Sequence, residues 1–185
     1  MTEHKPASVT GDLAEQQHNA IIRGGAGALL SALCLMASAL WLPSIWRFPE
    51  GTAEGLVYAC QVSIVPGLVL MIAVRMVARI RFYSREDNPG SAFTRPGPRL
   101  AIPGAFLQNT LEQTVLVVIA NLALASISSS AAMAYMTIGA LLFVIGRITF
   151  LLGYRFGAGG RAFGMVVTMM PALGAYGWVL YAWVF

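Results

Sequence analysis

Four polar side chains interrupt two long apolar stretches, and their types and spacing could support chemistry. Asn109 and Glu112 lie three residues apart in one stretch, and Arg147 and Tyr154 lie seven apart in the next. Either spacing puts both side chains on one face of an α-helix. A carboxylate inside an apolar stretch could carry a proton, act as a base or pair with a guanidinium. The two stretches predict a polar site between two helices, with a Glu112–Arg147 ion pair.

The composition indicates the setting of this site. Of 185 residues, 57% are hydrophobic and only 11% are charged, whereas soluble proteins carry about 25% charged residues. The chain is therefore predicted to be an all-α integral membrane protein and not a soluble enzyme. We expect membrane lipids, and no nucleic acid, among its partners.

Histidine and cysteine are poorly placed for metal or disulfide chemistry. His4 and His18 lie in the polar N-terminal segment, while Cys34 and Cys60 lie in apolar stretches without the spacing of a metal site. This leaves no histidine for metal binding, haem binding or general-base catalysis inside the membrane. We predict no metal site.

Five predicted transmembrane helices must position the polar residues. A helix needs about 20 apolar residues to cross the hydrocarbon core of a bilayer. Residues 1–23 are predicted to form a polar tail, residues 24–46 an extra transmembrane helix, and residues 57–185 a four-helix membrane domain. The glycine-rich segment 157–160 is interpreted as a hinge between antiparallel helices. The five predicted helices are residues 24–46, 57–79, 103–126, 132–156 and 162–184.

Charged and aromatic residues support this count of helices. Five helices place every Lys and Arg except Arg47 on one side, which is the cytoplasmic side by the positive-inside rule. The same count places Trp41, Trp46, Trp178 and Trp183 at the opposite membrane boundary, as in an aromatic belt. We therefore expect a multi-pass protein of a bacterial inner membrane, with a cytoplasmic N-terminus and the C-terminus on the other side.

Two points in the first half of the chain have an alternative interpretation. Residues 24–46 could be a signal peptide, because Ala37-Ser38-Ala39 has the form of a cleavage site, although the apolar stretch continues beyond it. The glycines at the start of this helix could contact a partner, because small residues permit close approach. Arg75 and Arg81 are expected to reach lipid phosphates with their long side chains.

Two segments carry a resemblance to a known family. The segments FLQNTLEQ, residues 106–113, and GRITFLLGYRFGAGGR, residues 146–161, resemble the MAPEG family, the membrane-associated proteins in eicosanoid and glutathione metabolism. The likeness extends from residue 57 to the C-terminus and leaves out the first predicted helix. It implies a MAPEG-like four-helix transmembrane bundle that forms a homotrimer and holds glutathione as a co-substrate between subunits.

The resemblance also implies roles for individual residues. Arg161 matches the arginine that stabilises the glutathione thiolate in catalytic members, and a guanidinium next to a thiol does favour the nucleophilic thiolate. A lipophilic small-molecule substrate would enter from the bilayer between helices. The residues that match glutathione-binding or supporting positions are Arg79, Asn109, Glu112, Arg147 and Tyr154.

The chain departs from the family pattern near the predicted site. Ile102, Ala105 and Gln108 stand where glutathione-binding members carry arginines, and Ala162 stands where several members place a hydroxyl. Such arginines hold the carboxylates of the tripeptide through bidentate hydrogen bonds. Without them, the carboxylates of the tripeptide lack bidentate partners at these positions.

Two functions of different classes follow from these matches and departures. One is a glutathione-dependent transferase or peroxidase that acts on a lipophilic electrophile or hydroperoxide. The alternative is a non-catalytic MAPEG-like scaffold or lipid-binding protein that has lost glutathione binding and keeps the polar residues as a structural core. A transporter is disfavoured because the sequence has no internal repeat and no pair of broken helices.

Overall fold

A computed structural model describes residues 13–49, 51–90 and 95–185, and these residues form long helices without a β-strand. A short 3-10 turn, Tyr154–Phe156, separates the last two helices. The predicted all-α class is therefore confirmed. The helices are α1 Leu13–Ile45, α2 Thr52–Tyr83, α3 Pro98–Ala125, α4 Ser130–Gly153 and α5 Gly157–Val184.

Three stretches of the described chain are long and apolar enough to cross a membrane. They are Leu13–Ile45, Thr52–Tyr83 and Ser130–Val184, the last of which comprises α4, the 3-10 turn and α5. The helix α3 is not among them, because its amide and carboxylate side chains lower its hydropathy. The structure thus has the five predicted helices, but three stretches qualify as spans by length and composition.

The first helix begins well before its predicted start at residue 24. It starts at Leu13, and its first turns are held by the beginning of α5. The Gly159 amide donates a hydrogen bond to Gln16 Oε1 over 3.0 Å, and Arg23 Nη1 donates to the Gly159 carbonyl over 3.5 Å. These contacts explain why a polar segment without an apolar face is helical. Of the predicted tail, residues 1–12 lie outside the described residues.

The helix α1 runs along α5 in the same direction. Near the start of both helices Gln16 contacts Gly159, and further along a Cβ on Gly27 would lie only 3.2 Å from Val167 Cγ2. Gly24 and Gly27 are buried in this contact, whereas a Cβ at Gly25 would meet nothing within 4 Å. Two of the three glycines considered for an external partner are therefore occupied within the chain.

The helices α2 and α3 are antiparallel neighbours with a fixed register. Asn121 Nδ2 donates to Ser63 Oγ over 3.1 Å, and Ser128 Oγ donates to Thr52 Oγ1 over 2.8 Å. Pro66 lies inside α2 without ending the helix. Both helices are longer than predicted, and α3 starts at Pro98 because proline is tolerated in the first turn of a helix.

Glycines let α4 and α5 approach each other closely. A Cβ at Gly153 would collide with the Gly160 backbone, and a Cβ at Gly164 would collide with the backbone of Gly146 and Phe150. The chain turns at Tyr154–Phe156, and Gly157 begins α5 with a φ of 79°. The prediction of a hinge at residues 157–160 is therefore wrong: these residues form the first turn of α5, where glycine permits close packing.

Candidate functional site

The guanidinium of Arg147 lies at the centre of the site. Its side chain is only 1% exposed. Nη1 donates to Asn109 Oδ1 over 2.7 Å, and Nε donates to Thr168 Oγ1 over 3.1 Å. The guanidinium also lies 4.5 Å from the centre of the Phe150 ring, which favours a cation electrostatically. Arg147 thus joins α3, α4 and α5 through neutral partners.

The predicted Glu112–Arg147 pair is wrong within this chain. Glu112 is exposed, and it accepts a hydrogen bond from Gln108 Nε2 over 3.0 Å. Three residues correspond to about 60° of rotation around a helix. Asn109 faces the interior of the bundle at that level of α3, and this rotation carries Glu112 to the outer face. The i, i+3 spacing was compatible with either side chain reaching Arg147.

The positive charge of Arg147 has no carboxylate partner among the described residues. Its remaining nitrogen, Nη2, is buried, and no acceptor for it is found in the described part of the chain. Neutral acceptors satisfy hydrogen-bond donors but leave the net charge in place. The interior of the bundle is therefore electropositive around Asn109 and Phe150.

Arg147 also determines which atom of the Asn109 amide group faces the adjacent cavity. A guanidinium can only donate hydrogen bonds, so the oxygen of Asn109 faces Arg147. The amide nitrogen, with two N–H donors, is left for the adjacent cavity, which Asn109 lines. The site consequently presents a donor at this position.

This cavity has a volume of about 410 Å³ and lies between α3, α4 and α5. Asn109, Tyr154 and Arg161 line it together, so the structure brings three of the predicted site residues to one place. None of the described residues that line it is Asp or Glu. The other lining residues are apolar: Ala105, Phe150, Ala158, Ala162 and Met165.

Two aromatic rings that line the cavity lie between two guanidinium groups, of which Arg161 lines the cavity and Arg147 lies behind Phe150. The guanidinium of Arg161 lies 4.7 Å from the centre of the Tyr154 ring. The Tyr154 ring meets the Phe150 ring edge to face at 5.6 Å, and Phe150 in turn contacts Arg147. Each guanidinium thus packs on the face of an aromatic ring, Arg147 on Phe150 and Arg161 on Tyr154. Such a wall, rich in donors and positive charge, suits an anion.

Sequence reasoning missed Phe150 and Thr168. Phe150 lies between Arg147 and Tyr154 at helical spacing, and its position could have been recognised from that spacing. Thr168 is buried, accepts from Arg147 and donates to the Gly164 carbonyl over 2.7 Å. A lone threonine in an apolar helix gives little warning of such a role, since its hydroxyl often bonds to its own helix.

Arg79 lies apart from the other predicted site residues in this chain. It lines a separate cavity of about 630 Å³, at the connection between α2 and α3, together with Arg85, Asp87 and Arg99. Asp87 shapes this connection by accepting hydrogen bonds from the Gly97 amide over 2.7 Å and from the Ser84 hydroxyl over 2.9 Å.

Of the three positions where the family pattern has arginines, one lies at the cavity and two lie on the exposed surface of the chain. Ala105 lines the 410 Å³ cavity, whereas Ile102 and Gln108 are exposed. The methyl group of Ala105 offers no hydrogen bond to a carboxylate. Across the described parts of the chain, no group of three or more His, Cys, Asp or Glu residues could hold a metal ion.

A bundle of long apolar helices around a polar, electropositive cavity defines a polytopic α-helical membrane protein. Residues 56–181 match the model of the MAPEG family, and the chain belongs to this family. The matched region comprises α2 to α5, and α1 precedes it, so the predicted extra N-terminal helix is confirmed. Comparison with curated proteins and with solved structures gave no match.

Proposed function

We propose that this protein is a glutathione-dependent transferase or peroxidase that acts on a lipophilic electrophile or hydroperoxide. Membership of the MAPEG family supports a membrane protein of glutathione or eicosanoid metabolism. The observation that carries the proposal is the 410 Å³ cavity, in which Asn109, Tyr154 and Arg161 meet without a lining carboxylate. A negatively charged sulfur would be stabilised there.

Arg161 is the proposed catalytic residue. Its guanidinium is held against the Tyr154 ring, and a cation next to a thiol favours the loss of the thiol proton to solvent. The ionised sulfur attacks an electrophilic carbon and displaces its leaving group, or it attacks a peroxide oxygen and breaks the O–O bond, so that the released alkoxide takes a proton from solvent. Asn109 donates hydrogen bonds to the peptide part of the co-substrate, and Arg147 keeps the Asn109 amide in that orientation.

The proposed assembly and topology follow the family resemblance and the charge distribution. The chain forms a homotrimer with five transmembrane helices, a cytoplasmic N-terminus and the C-terminus on the other side of a bacterial inner membrane. In this arrangement α3 crosses the membrane in spite of its polar residues, because helices of the same chain enclose Asn109 and helices of the other copies cover Gln108 and Glu112. The lipophilic substrate reaches the cavity from the bilayer.

Titration of the purified protein with glutathione tests this proposal. We expect saturable binding, an increase in thiolate absorbance and loss of turnover in Arg161→Ala. Arg155→Ala is the matched control, because Arg155 is exposed and stacks only on Phe156. Absence of binding at millimolar glutathione, with the helical content intact, would refute the proposal.

One observation favours the second candidate, a non-catalytic scaffold or lipid-binding protein. Ala105 lines the cavity at a position where the family's binding members carry an arginine, so the cavity lacks a bidentate partner for a carboxylate. Ala105→Arg separates the two candidates. A glutathione site should gain at least about tenfold in affinity from a new charge-assisted pair. In a non-catalytic scaffold or lipid-binding protein, Ala105→Arg should give no gain in affinity for glutathione.

A further inference from the structure

The first turn of α5 lacks a cap of its own. Its N-cap residue is Phe156, whose apolar side chain makes no capping hydrogen bond. The turn itself is Gly157-Ala158-Gly159-Gly160, and glycine loses more backbone freedom on entering a helix than any other residue does. A helix also leaves its first four N–H groups without acceptors in the helix. The start of α5 therefore depends on support from outside the helix.

The first turns of α1 supply this support. Gln16 Oε1 accepts a hydrogen bond from the Gly159 amide over 3.0 Å, although the two residues are 143 positions apart. Gln16 Nε2 donates to the Phe156 carbonyl over 3.5 Å, so one side chain contacts both the helix and the turn before it. Gly159 is buried, and a Cβ there would lie 2.8 Å from the Asn19 Cβ. Glycine at this position is what allows α1 to approach so closely.

The supported turn carries the two side chains that stack in the candidate site. Tyr154 begins the 3-10 turn that ends at Phe156, and Arg161 follows Gly159 by two residues. Two residues correspond to about 200° of rotation around a helix, so α1 holds one side of α5 while Arg161 lies on the other, at the 410 Å³ cavity. The Arg161 guanidinium lies 4.7 Å from the centre of the Tyr154 ring. A shift of this turn would therefore move the two side chains relative to each other.

The helix that gives this support precedes the part of the chain that matches the family. The MAPEG model matches residues 56–181, whereas α1 is Leu13–Ile45. The contact with α5 continues beyond the first turns, since a Cβ on Gly27 would lie 3.1 Å from the Phe163 carbonyl oxygen. The extra helix is thus packed along the helix that carries the proposed catalytic residue.

We propose that α1 holds the proposed catalytic Arg161 in place, with Gln16 as the positioning residue that caps α5. Without the Gln16 acceptor the glycine-rich turn frays, and the guanidinium leaves the position in which it stabilises a thiolate. The effect on the thiolate rests on the proposed glutathione chemistry, whereas the capping of α5 does not. The two parts are therefore tested separately.

Hydrogen exchange of the ligand-free protein tests the cap. In Gln16→Ala we expect the amides of Gly160 and Arg161 to exchange about fivefold faster, which is the effect of losing a typical helix cap. Gln16→Glu keeps an oxygen acceptor at the same reach and should retain most of the protection. Gln17→Ala is the matched control, because Gln17 is the same residue type one position later and is exposed. Unchanged exchange in Gln16→Ala, or equally fast exchange in Gln17→Ala, would overturn the proposal.

The thiol of bound glutathione tests the consequence for Arg161. Thiolate absorbance is measured against pH, and its midpoint gives the pKa of the bound thiol. In Gln16→Ala we expect this midpoint to rise by at least about 0.5 pH unit, which is about a threefold loss of thiolate near neutral pH, because the guanidinium is displaced. Gln16→Glu should restore most of the difference, and Gln17→Ala should keep the midpoint of the parent protein.

The outcomes distinguish this proposal from the proposed function. A parent protein that binds no glutathione refutes the glutathione chemistry alone, and hydrogen exchange then decides whether Gln16 caps α5. If the parent lowers the thiol pKa and Gln16→Ala has the same midpoint, the positioning role of Gln16 is wrong. A weaker absorbance at an unchanged midpoint has the same meaning, since partial unfolding of the sample reduces the signal without moving its midpoint.

Discussion

Arg147 on α4 bonds to Asn109, which lies less than one helical turn before Glu112 on α3, and the fold treats the two charges in opposite ways. Arg147 is enclosed by three helices and bonded to Asn109 and Thr168. Glu112 lies only three residues beyond Asn109, yet it faces outward next to Gln108. The first charge is provided with partners by the folding of one chain, and the second is not. Folding therefore completes the surroundings of Arg147, whereas Glu112 on the outer face of α3 keeps Gln108 of its own helix as its hydrogen-bond partner.

The largest effect should come from removing the enclosed charge. Arg147→Ala is expected to destabilise the fold by about 2–5 kcal/mol, because it leaves a cavity and removes the partners of Asn109 and Thr168. Thermal unfolding in detergent measures the change. Arg155→Ala should shift the midpoint little, since exposed substitutions stay within about 0.5 kcal/mol. Equal shifts in the two variants would show that Arg147 is not a structural centre.

The next effect concerns the close contact of α4 with α5, which holds Arg147 and Thr168 together. Gly164→Ala is expected to cost about 1–3 kcal/mol, because the added methyl group collides with backbone atoms that cannot rotate away. Gly104→Ala is the matched control on α3, where a Cβ would meet nothing within 4 Å. The two unfolding midpoints should differ by several degrees. A stable Gly164→Ala protein would mean that the helices can separate without loss of the fold.

The sequence allowed the helical class, the extra helix and the grouping of Asn109, Tyr154 and Arg161 to be predicted. The length of the apolar stretches was sufficient to predict the helices. The family resemblance of segments 106–113 and 146–161 was sufficient to predict the site residues, without knowledge of how each helix is rotated. The partner of Arg147 was not predictable, because spacing defines a helical face but not the direction in which that face points. Glu112 was the predicted partner, but packing sets the rotation of α3 so that Asn109 reaches Arg147 instead.

The start of α1 was missed for a related reason. Local hydropathy gives no helix signal over residues 13–23, and the stabilising contacts come from α5, far along the chain. Gln16 and Arg23 bond to Gly159, and a tertiary contact of this kind overrides weak local propensity. The glycines before Arg161 were misinterpreted as a hinge because glycine serves both flexibility and close packing, and only the neighbouring backbone distinguishes these roles.

A smaller effect should follow from changing the neutral partner of the buried charge. Thr168→Val keeps the shape of the side chain but leaves Arg147 Nε without its acceptor, which should cost about 1–2 kcal/mol. Thr149→Val is the control, because the Thr149 hydroxyl bonds only to carbonyls of its own helix. A lower midpoint for Thr168→Val alone would support the role of Thr168. If Thr168→Val also weakens glutathione binding, the Thr168–Arg147 hydrogen bond helps to hold Arg147 where it orients the Asn109 amide.

The smallest effect should be a gain, on the helix that carries Arg75. Gly67 lies inside α2, and a Cβ there would meet nothing within 4 Å of the same chain. Gly67→Ala should stabilise the protein by about 0.5–1 kcal/mol, because glycine in a helix interior loses more backbone entropy than alanine does. The measurement is again the unfolding midpoint, taken at a protein concentration that favours separate copies. A drop in the midpoint that appears only at high concentration would place a second copy against this flank of α2. In that case another copy of the chain would cover part of the outer surface of α2, and the difference between the enclosed and the outer regions would be larger than one chain shows.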